Sequence, residues 1–404
     1  MLSSYPKYLL QKIKVLRAPA IEKILATSLI SQITILVLSV IRIPISLHFF
    51  GVNEYATLLI LLTYWQTMVI FGDSARKAWR VNRSWVGSSP KVTFHRTALV
   101  GYLSIASVAS LFFLWQFEMS GFLLSGIVTI AGLIHLKYSP YSGLLELNGF
   151  YGKVNWSLLN SNVLFFIPWY FSCQIGNEYL YLITVCGAYP MSSYLCRQSC
   201  RRNLKALGSK VSQTQHRELN FGKYLSLSFV SKSSYLIDPF MIQGQLGAVQ
   251  VVTHSIYQRF LNLYSFTPSA LSPLFMVEST RVRVVNLSRH AEKYLVLITV
   301  LTTVILFAFS DEIFSFLSSG EISSNVYLVI LVLLQGIIGS TITRVVQSSN
   351  SLNQLALRIK IGTIGTIISA IATFLLLPFL GISISFVTSI LYSLAMYFYL
   401  RNRT

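Results

Sequence analysis

Hydrophobic residues run along this chain in long stretches separated by short polar segments, and charged side chains are confined almost entirely to those segments. A transmembrane α-helix needs about 20 consecutive, mainly apolar residues. Twelve stretches meet that length, and the pattern therefore predicts an all-α membrane protein with about twelve transmembrane helices. The predicted spans are 24–50, 54–75, 97–116, 121–147, 155–173, 178–197, 224–244, 248–275, 293–310, 325–350, 358–379 and 383–400.

Composition supports the same class. Hydrophobic residues make up 53% of the 404 and charged residues only 11%, whereas a soluble domain has about 25% charged residues. The mean hydropathy is +0.61. Since lipid offers no hydrogen-bond partners, every spanning segment has to pair its backbone groups internally, as a helix.

The charge balance is strongly basic, and the positions of the charges explain why. The formal net charge is +19, which in a soluble protein would first suggest nucleic acid. Here five Lys and Arg lie in 1–23, six in 76–96, seven in 197–223 and four in 276–293. The intervening loops have none and carry acidic residues instead. This alternation is the positive-inside pattern, so we expect both termini on the cytoplasmic side and no nucleic-acid partner.

The chain also repeats itself at an offset of 196 residues. Arg42 lies nine residues before Gly51 at the end of the first span, and Asp238 lies nine residues before Gly247 at the end of the seventh. Six crossings return a chain to its starting side, so two six-span halves share one topology and form parallel repeats around a central cleft. The predicted parts are a basic N-terminus (1–23), an N-lobe (24–197), a basic linker (198–223) and a C-lobe (224–404).

Charged residues inside the spans are the candidates for function, because each costs roughly 3 kcal/mol at a helix centre and usually faces a cavity or a partner. They are Arg42, Lys137, Lys232, Asp238, Arg259 and Arg344. Five cations cannot all be neutralised by one anion. The rise per residue puts Arg259 and Lys232 near the midplane. A cationic cavity between two lobes would suit an anionic cargo such as a diphosphate.

Several of these residues also have structural interpretations. Asp238 could pair with Arg42 across the lobes in a purely architectural role. Lys137 and Arg344 lie toward the cytoplasmic ends of their spans, where a long basic side chain can snorkel to the headgroups. They are therefore weaker candidates for the cavity. Asp73 and Arg76, at the cytoplasmic end of the second span, are candidates for a gate or for an interfacial anchor. Six scattered histidines predict no metal site, and the absence of a P-loop or other such motif predicts no cofactor.

Two hairpins resemble a known family. The segment Tyr235–Phe260, YLIDPFMIQGQLGAVQVVTHSIYQRF, continues to LSPLF at Leu271–Phe275; the first hairpin contains SLISQITILVLSV at Ser28–Val40 and FFGVNEYA at Phe49–Ala56. These segments resemble Wzx-type O-antigen flippases, which belong to the polysaccharide-transport branch of the MATE-like exporter superfamily.

The resemblance implies a multi-pass protein of the bacterial inner membrane that serves lipopolysaccharide biosynthesis. Such a protein moves undecaprenyl-diphosphate-linked oligosaccharide from the cytoplasmic to the periplasmic leaflet by alternating access. Its partners are the lipid-linked oligosaccharide, membrane lipids and, as one possibility, the polysaccharide polymerase. Arg42, Asp238 and Arg259 fall on the matching hairpins, whereas Lys137, Lys232 and Arg344 rest on the charge argument alone.

Two other functions stay open. A cation-coupled exporter of the same superfamily would be expected to have acidic residues in its cavity, where this chain has five cations and Asp238. A membrane polymerase or glycosyltransferase would be expected to have a large periplasmic catalytic loop. The longest periplasmic loop predicted here, 311–324, is short and rich in serine. We therefore expect a transporter and not an enzyme.

Overall fold

A computed structural model describes residues 18–81, 96–148, 150–205, 221–278, 285–348 and 352–401. Within these ranges all regular secondary structure is helical, which confirms the all-α prediction. The described helices are α1 (Ala18–Val81), α2 (Arg96–Leu147), α3 (Tyr151–Ile175), α4 (Glu178–Lys205), α5 (Phe221–Leu246), α6 (Ala248–Glu278), α7 (Val285–Ala308), α8 (Ser310–Leu317), α9 (Val326–Ser348), α10 (Leu352–Leu380) and α11 (Ser383–Arg401).

The two longest helices are each broken near the middle. Helix α1 breaks at Gly51, with φ 73° and ψ 172°, a region that essentially only glycine adopts. Helix α2 breaks at Phe117 and Glu118, where Glu118 has φ 56°. We call the arms α1a and α1b, and α2a and α2b. On α4, Tyr181 accepts a hydrogen bond from Ser46 of α1a, and the ring of Tyr189 packs 6.1 Å from that of Trp65 of α1b, so both arms of α1 contact the same helix.

The predicted spans coincide with helices or helix arms, and the differences lie at their ends. Helix α1b continues to Val81, α4 continues to Lys205, and α7 already begins at Val285. These extensions carry basic residues, so a prediction based on the length of apolar stretches does not include them. One prediction was incomplete, because the segment 311–324 contains most of the short helix α8.

Among the residues that the structure describes, length and composition identify three helical segments that could cross a membrane: Thr27–Trp79, Ala98–Glu146 and Ile359–Leu380. A fourth results if Val296–Ala308 and Ser310–Leu317, bent by 75°, are taken as one span. The first two segments have 53 and 49 residues and contain the breaks in α1 and α2. At about 1.5 Å per residue either one, if straight, would exceed twice the hydrocarbon thickness. This criterion supports three or four membrane-spanning segments, so the total of twelve spans stays a prediction.

Helices α1b and α2b pack closely through small residues. The backbone of Gly143 lies against the carbonyl of Arg76, so a Cβ at residue 143 would come within 2.2 Å of that oxygen. Ser139 Oγ donates a 2.7 Å hydrogen bond to the carbonyl of Gly72. In lipid, helix association depends on such close packing and on interhelical hydrogen bonds. The hydrophobic effect does not drive it, because lipid tails are as apolar as the helix surfaces.

Helix α1 makes the main contacts between the chain before the basic linker and the chain after it, packing against α5 and α6. Those two helices are joined by Gly247, whose φ of 83° is left-handed like that of Gly51. The turn predicted at each glycine is therefore confirmed. Two hairpins of one design, α1a–α1b and α5–α6, lie against each other, and this contact positions the candidate site.

Candidate functional site

Arg42 on α1a is largely buried among aromatic rings. Its Cζ lies 5.5 Å from the ring centroid of Trp169 and 6.0 Å from that of Phe166, both on α3. Its Nε and Nη2 are buried without a hydrogen-bond partner in the described part of the chain. A guanidinium with donors left over, held between aromatic faces, is poised to bind an acceptor that the protein does not supply.

Hydroxyl groups surround the space beside Arg42. Ser46, one turn along α1a, donates a 3.3 Å hydrogen bond to the hydroxyl of Tyr181 on α4, and its Oγ lies 4.0 Å from Cys173 Sγ. Tyr181 is buried and its ring packs edge-on against Phe50 at 5.4 Å. Sequence reasoning missed Trp169 and Tyr181. Trp169 and Tyr181 are both aromatic residues inside predicted spans. Many other aromatic residues share that feature, so it does not single these two out.

Arg259 on α6 lies on the opposite hairpin. It is half-buried and has no hydrogen bond or ion pair with any described residue. Its charge acts on Arg42, and also on Tyr55, Tyr181 and Tyr189. Two arginines from the two hairpins therefore share one electrostatic environment. Neither forms an ion pair with a carboxylate in the residues that the structure describes.

Asp238 is not paired with Arg42, so the architectural ion pair considered above does not form. Its carboxylate accepts a hydrogen bond from Ser385 on α11. His254 on α6 places its Nε2 3.1 Å from Ser385 Oγ. Asp238, Ser385 and His254 are each buried to 3% exposure or less. The acid is thus linked to a histidine through a hydroxyl, inside the second half of the chain.

Lys232, predicted as a free cation of the cavity, is engaged by Asp73. Its Nζ lies 3.9 Å from Asp73 Oδ2, and His135 Nε2 lies 3.9 Å from Asp73 Oδ1. This ion pair joins α1b to α5, and hence the first half of the chain to the second. Lys77 Nζ donates to Ser228 Oγ at 3.2 Å, which adds a second link between the same two helices.

Further contacts make this region a continuous closure. Ser74 Oγ donates a 3.4 Å hydrogen bond to the carbonyl of Tyr224, and the rings of Phe71 and Phe229 pack edge-on at 5.5 Å. We call the end of the bundle beside the Lys- and Arg-rich segments the basic end, and the end with Glu54, Glu118 and Glu178 the acidic end. The closure lies toward the basic end, where α1b nears its last residues and α5 begins.

The second gate candidate behaves differently. Arg76 forms an ion pair with Glu146 on α2b, within the first half of the chain. Glu146 is buried to 4% exposure, and it was overlooked in the sequence although it falls inside a predicted span. Asp73 thus bridges the halves, whereas Arg76 fixes α1b to its neighbour.

The weaker candidate Lys137 does not join the site. Lys137 is exposed, one turn beyond Leu133 and Ile134 on the outward apolar stripe of α2b, as expected for snorkelling. Arg344 lies in α9, but its side chain is outside the described residues, as are those of the basic N-terminus.

The arrangement suits the binding of an oxyanion. Guanidinium groups recognise phosphate through two parallel N–H···O bonds, and the tyrosine hydroxyls and aromatic faces could contact sugars. Among the residues that the structure describes, no group of three or more His, Cys, Asp or Glu could hold a metal ion. No family model, no curated protein and no solved structure matches this chain.

Proposed function

We propose that this protein is a flippase for lipid-linked oligosaccharide. The cargo is an undecaprenyl-diphosphate-linked oligosaccharide, such as an O-antigen repeat unit. It passes from the cytoplasmic to the periplasmic leaflet of the bacterial inner membrane. The cargo itself is inferred from the resemblance of the two hairpins; the site adds the physical chemistry that such a cargo requires.

One observation carries the proposal: Arg42 and Arg259, on opposite hairpins, lie within electrostatic range of each other, and neither has a carboxylate partner among the described residues. An unpaired cation away from water is costly, and a protein that holds two together gains nothing in stability from them. A diphosphate offers several strong acceptors and at least two negative charges. It would satisfy the donors of Arg42 and offset the repulsion between the two guanidinium groups.

The membrane topology belongs to the same proposal. Counting each arm of α1 and α2 separately, and taking α7 with α8 as one element, the described helices supply twelve segments for twelve spans. The excess of Lys and Arg at the basic end puts that end and both termini in the cytoplasm. The two hairpins then form the facing walls of an N-lobe and a C-lobe.

Alternating access follows from this arrangement. In the present structure the halves are joined near the cytoplasmic end by Asp73 and Lys232. Opening that closure would admit the diphosphate to the arginines from the cytoplasmic side. The driving force is the membrane potential, an ion gradient or the consumption of product outside. Asp238 is the acid available to take a proton or another cation.

The test is charge reversal at Arg259 in a strain that lacks the gene, with surface polysaccharide visualised by gel and membrane levels matched. We expect Arg259→Glu to abolish the polysaccharide and Arg259→Lys to retain most of it, because a lysine keeps the charge. Lys223→Glu, at an exposed lysine at the start of α5, is the control and should be neutral. Normal polysaccharide from both Arg259 variants would contradict the site, and unchanged surface glycan after gene deletion would contradict the function.

A cation-coupled exporter is the second candidate, and Asp238 is the observation that favours it. A buried carboxyl group beside a hydroxyl and a histidine could bind a small cation as readily as it assists lipid transport. The two functions separate in one strain comparison: an exporter mutant becomes sensitive to its cationic substrates and keeps its polysaccharide. An enzyme is the less favoured alternative, since the longest predicted periplasmic loop is short and half of it belongs to α8.

A further inference from the structure

A cluster of basic and aromatic side chains lies between α2b and α4, away from the proposed cargo site. Arg197 on α4 places its Cζ 5.1 Å from the ring centroid of Tyr138 on α2b. Lys137 Nζ lies 5.5 Å from the centroid of the same ring. Tyr194, one turn before Arg197, packs edge-on against Tyr138 at 5.7 Å. We call these four residues, together with Arg201 one turn beyond Arg197, the α2–α4 basic cluster.

This cluster has no acidic counterpart in the described residues. None of its cations forms an ion pair there, and Glu146, the acid on the same stretch of α2b, is held by Arg76. Arg197 Nε is buried without a hydrogen-bond partner. The ring of Tyr138 contacts two of the cations, but it does not neutralise them, so the cluster retains the capacity to bind an anion.

The position of the cluster along the helices matches the edge of a bilayer. Nineteen residues separate Glu118 from Lys137, and nineteen separate Glu178 from Arg197. At 1.5 Å per residue each distance is about 28 Å, close to the ~30 Å hydrocarbon core. Ile130 and Ile134, which precede Lys137 on the same face, are 62% and 40% exposed. The outward face of α2b thus changes from apolar to basic at the depth expected for phosphate headgroups.

We infer that the α2–α4 basic cluster binds the headgroup of an anionic phospholipid of the cytoplasmic leaflet, preferentially a diphosphatidylglycerol. Basic pockets between transmembrane helices on the cytoplasmic side suit such headgroups, and tyrosines are favoured at that boundary. A lipid with two phosphates matches three cations on two adjacent helices better than a lipid with one. The inference rests on the membrane placement given with the proposed function, and not on the flipping of any cargo.

Other exposed cations near the basic end lack these features. Lys223 on α5 and Lys360 on α10 are exposed, but neither contacts an aromatic ring in the described part of the chain. They contribute to the general attraction of basic residues for an anionic leaflet. The pair therefore provides a matched control: substituting both removes the same charge as substituting two members of the cluster.

The experiment is native mass spectrometry of the purified full-length protein, titrated with diphosphatidylglycerol or phosphatidylethanolamine. Wild type should retain diphosphatidylglycerol through detergent exchange. Arg197→Gln with Arg201→Gln should weaken that retention by about tenfold, and Lys223→Gln with Lys360→Gln should leave it within about twofold. If both double variants lose retention of diphosphatidylglycerol equally, the binding is non-specific charge attraction and the inference is overturned. It is also overturned if the wild-type protein shows no preference between the two lipids.

Two additions keep the outcome decisive. Arg197→Lys with Arg201→Lys preserves the charge and should recover most of the retention, which separates lipid binding from a folding defect. Inorganic phosphate at millimolar concentration should not displace the lipid; displacement would indicate a free-anion site and contradict the assignment to a lipid. Because the readout is bound phospholipid, a failure here leaves the flippase proposal standing, and the reverse also holds.

Discussion

Arg42 and Asp238 occupy corresponding places in the two hairpins, nine residues before the glycine turn of each. Their surroundings differ completely. Arg42 lies against the rings of Trp169 and Phe166 and leaves two nitrogens without partners. Asp238 accepts a hydrogen bond from Ser385, which in turn lies next to His254. The same backbone design therefore holds a charge of opposite sign in each half.

The difference lies in how each half supports its charge. Aromatic faces stabilise a cation only in part, by about 0.5–2 kcal/mol each, and leave its donors available to a ligand. A hydroxyl group that donates to a carboxylate, with a histidine beyond it, gives the acid a hydrogen-bond partner within the protein. The first half is thus built to receive something from outside, whereas the second half has its acid already engaged. A binding role for Arg42 and an internal role for Asp238 follow from this contrast.

The largest effect should come from removing the charge of Arg42 while keeping its volume. Arg42→Met should abolish surface polysaccharide, yet the thermal unfolding midpoint of the purified protein should be no lower than that of wild type. Replacing an unpaired buried cation by an apolar side chain removes a desolvation penalty, which offsets the lost contacts with the two rings. Arg42→Lys, which keeps the charge, should retain partial activity. If the Met variant unfolds at a lower temperature and stays active, Arg42 is a packing residue, and its proposed binding role is contradicted.

A smaller effect is expected at Asp238. Asp238→Asn keeps an oxygen that can accept the hydrogen bond of Ser385, so stability should change by less than about 1 kcal/mol. If this acid takes up a coupling cation, transport by the variant should fall about tenfold and lose its dependence on an imposed ion gradient in reconstituted vesicles. Glu312→Gln, at an exposed acid of α8, is the control. An Asn variant that still responds to the gradient would leave Asp238 with a structural role only.

The helices were predictable because lipid imposes one rule on every span. Long apolar stretches predicted α3, α9 and α11 closely, and the glycines at residues 51 and 247 predicted both turns. The ends of α4 and α7 were missed because helix continues beyond the hydrocarbon region, where basic residues no longer signal a boundary. The number of spans is still an inference from the same periodicity.

The site was less predictable, because its chemistry depends on contacts between distant parts of the sequence. The charge argument singled out Arg42 and Arg259, which the structure places within electrostatic range of each other. It could not assign Lys232 to Asp73, 159 residues earlier in the chain, nor link Asp238 to Ser385. Both partners are common residues in positions that pattern alone does not distinguish. Glu146, inside the predicted span 121–147, is a charge that the sequence alone does show.

Substitutions at Asp73 and Lys232, whose ion pair joins the two halves, test whether the halves move as separate bodies. Asp73→Asn and Lys232→Gln should each change the rate of polysaccharide export by about threefold, since a partly exposed ion pair contributes little. If the two side chains act as a unit, the double variant should be no worse than either single one. Lys223→Gln, on the same helix, should have no effect. Additive losses would mean that the two residues act independently and that the pair is not a gate contact.

The smallest effect concerns the turn that the hairpins share. Gly51 has φ 73° and ψ 172°, and a Cβ there would meet nothing within 4 Å. Gly51→Ala should therefore destabilise the protein by backbone strain alone, by about 1–3 kcal/mol, measured as a lower thermal unfolding midpoint. Gly244→Ala lies three residues before the other turn, in a helix and also in open space, and should be neutral or stabilising. Equal midpoints for the two variants would show that the break at Gly51 is not conformationally demanding, and the structural equivalence of the two hairpins would then rest on Gly247 alone.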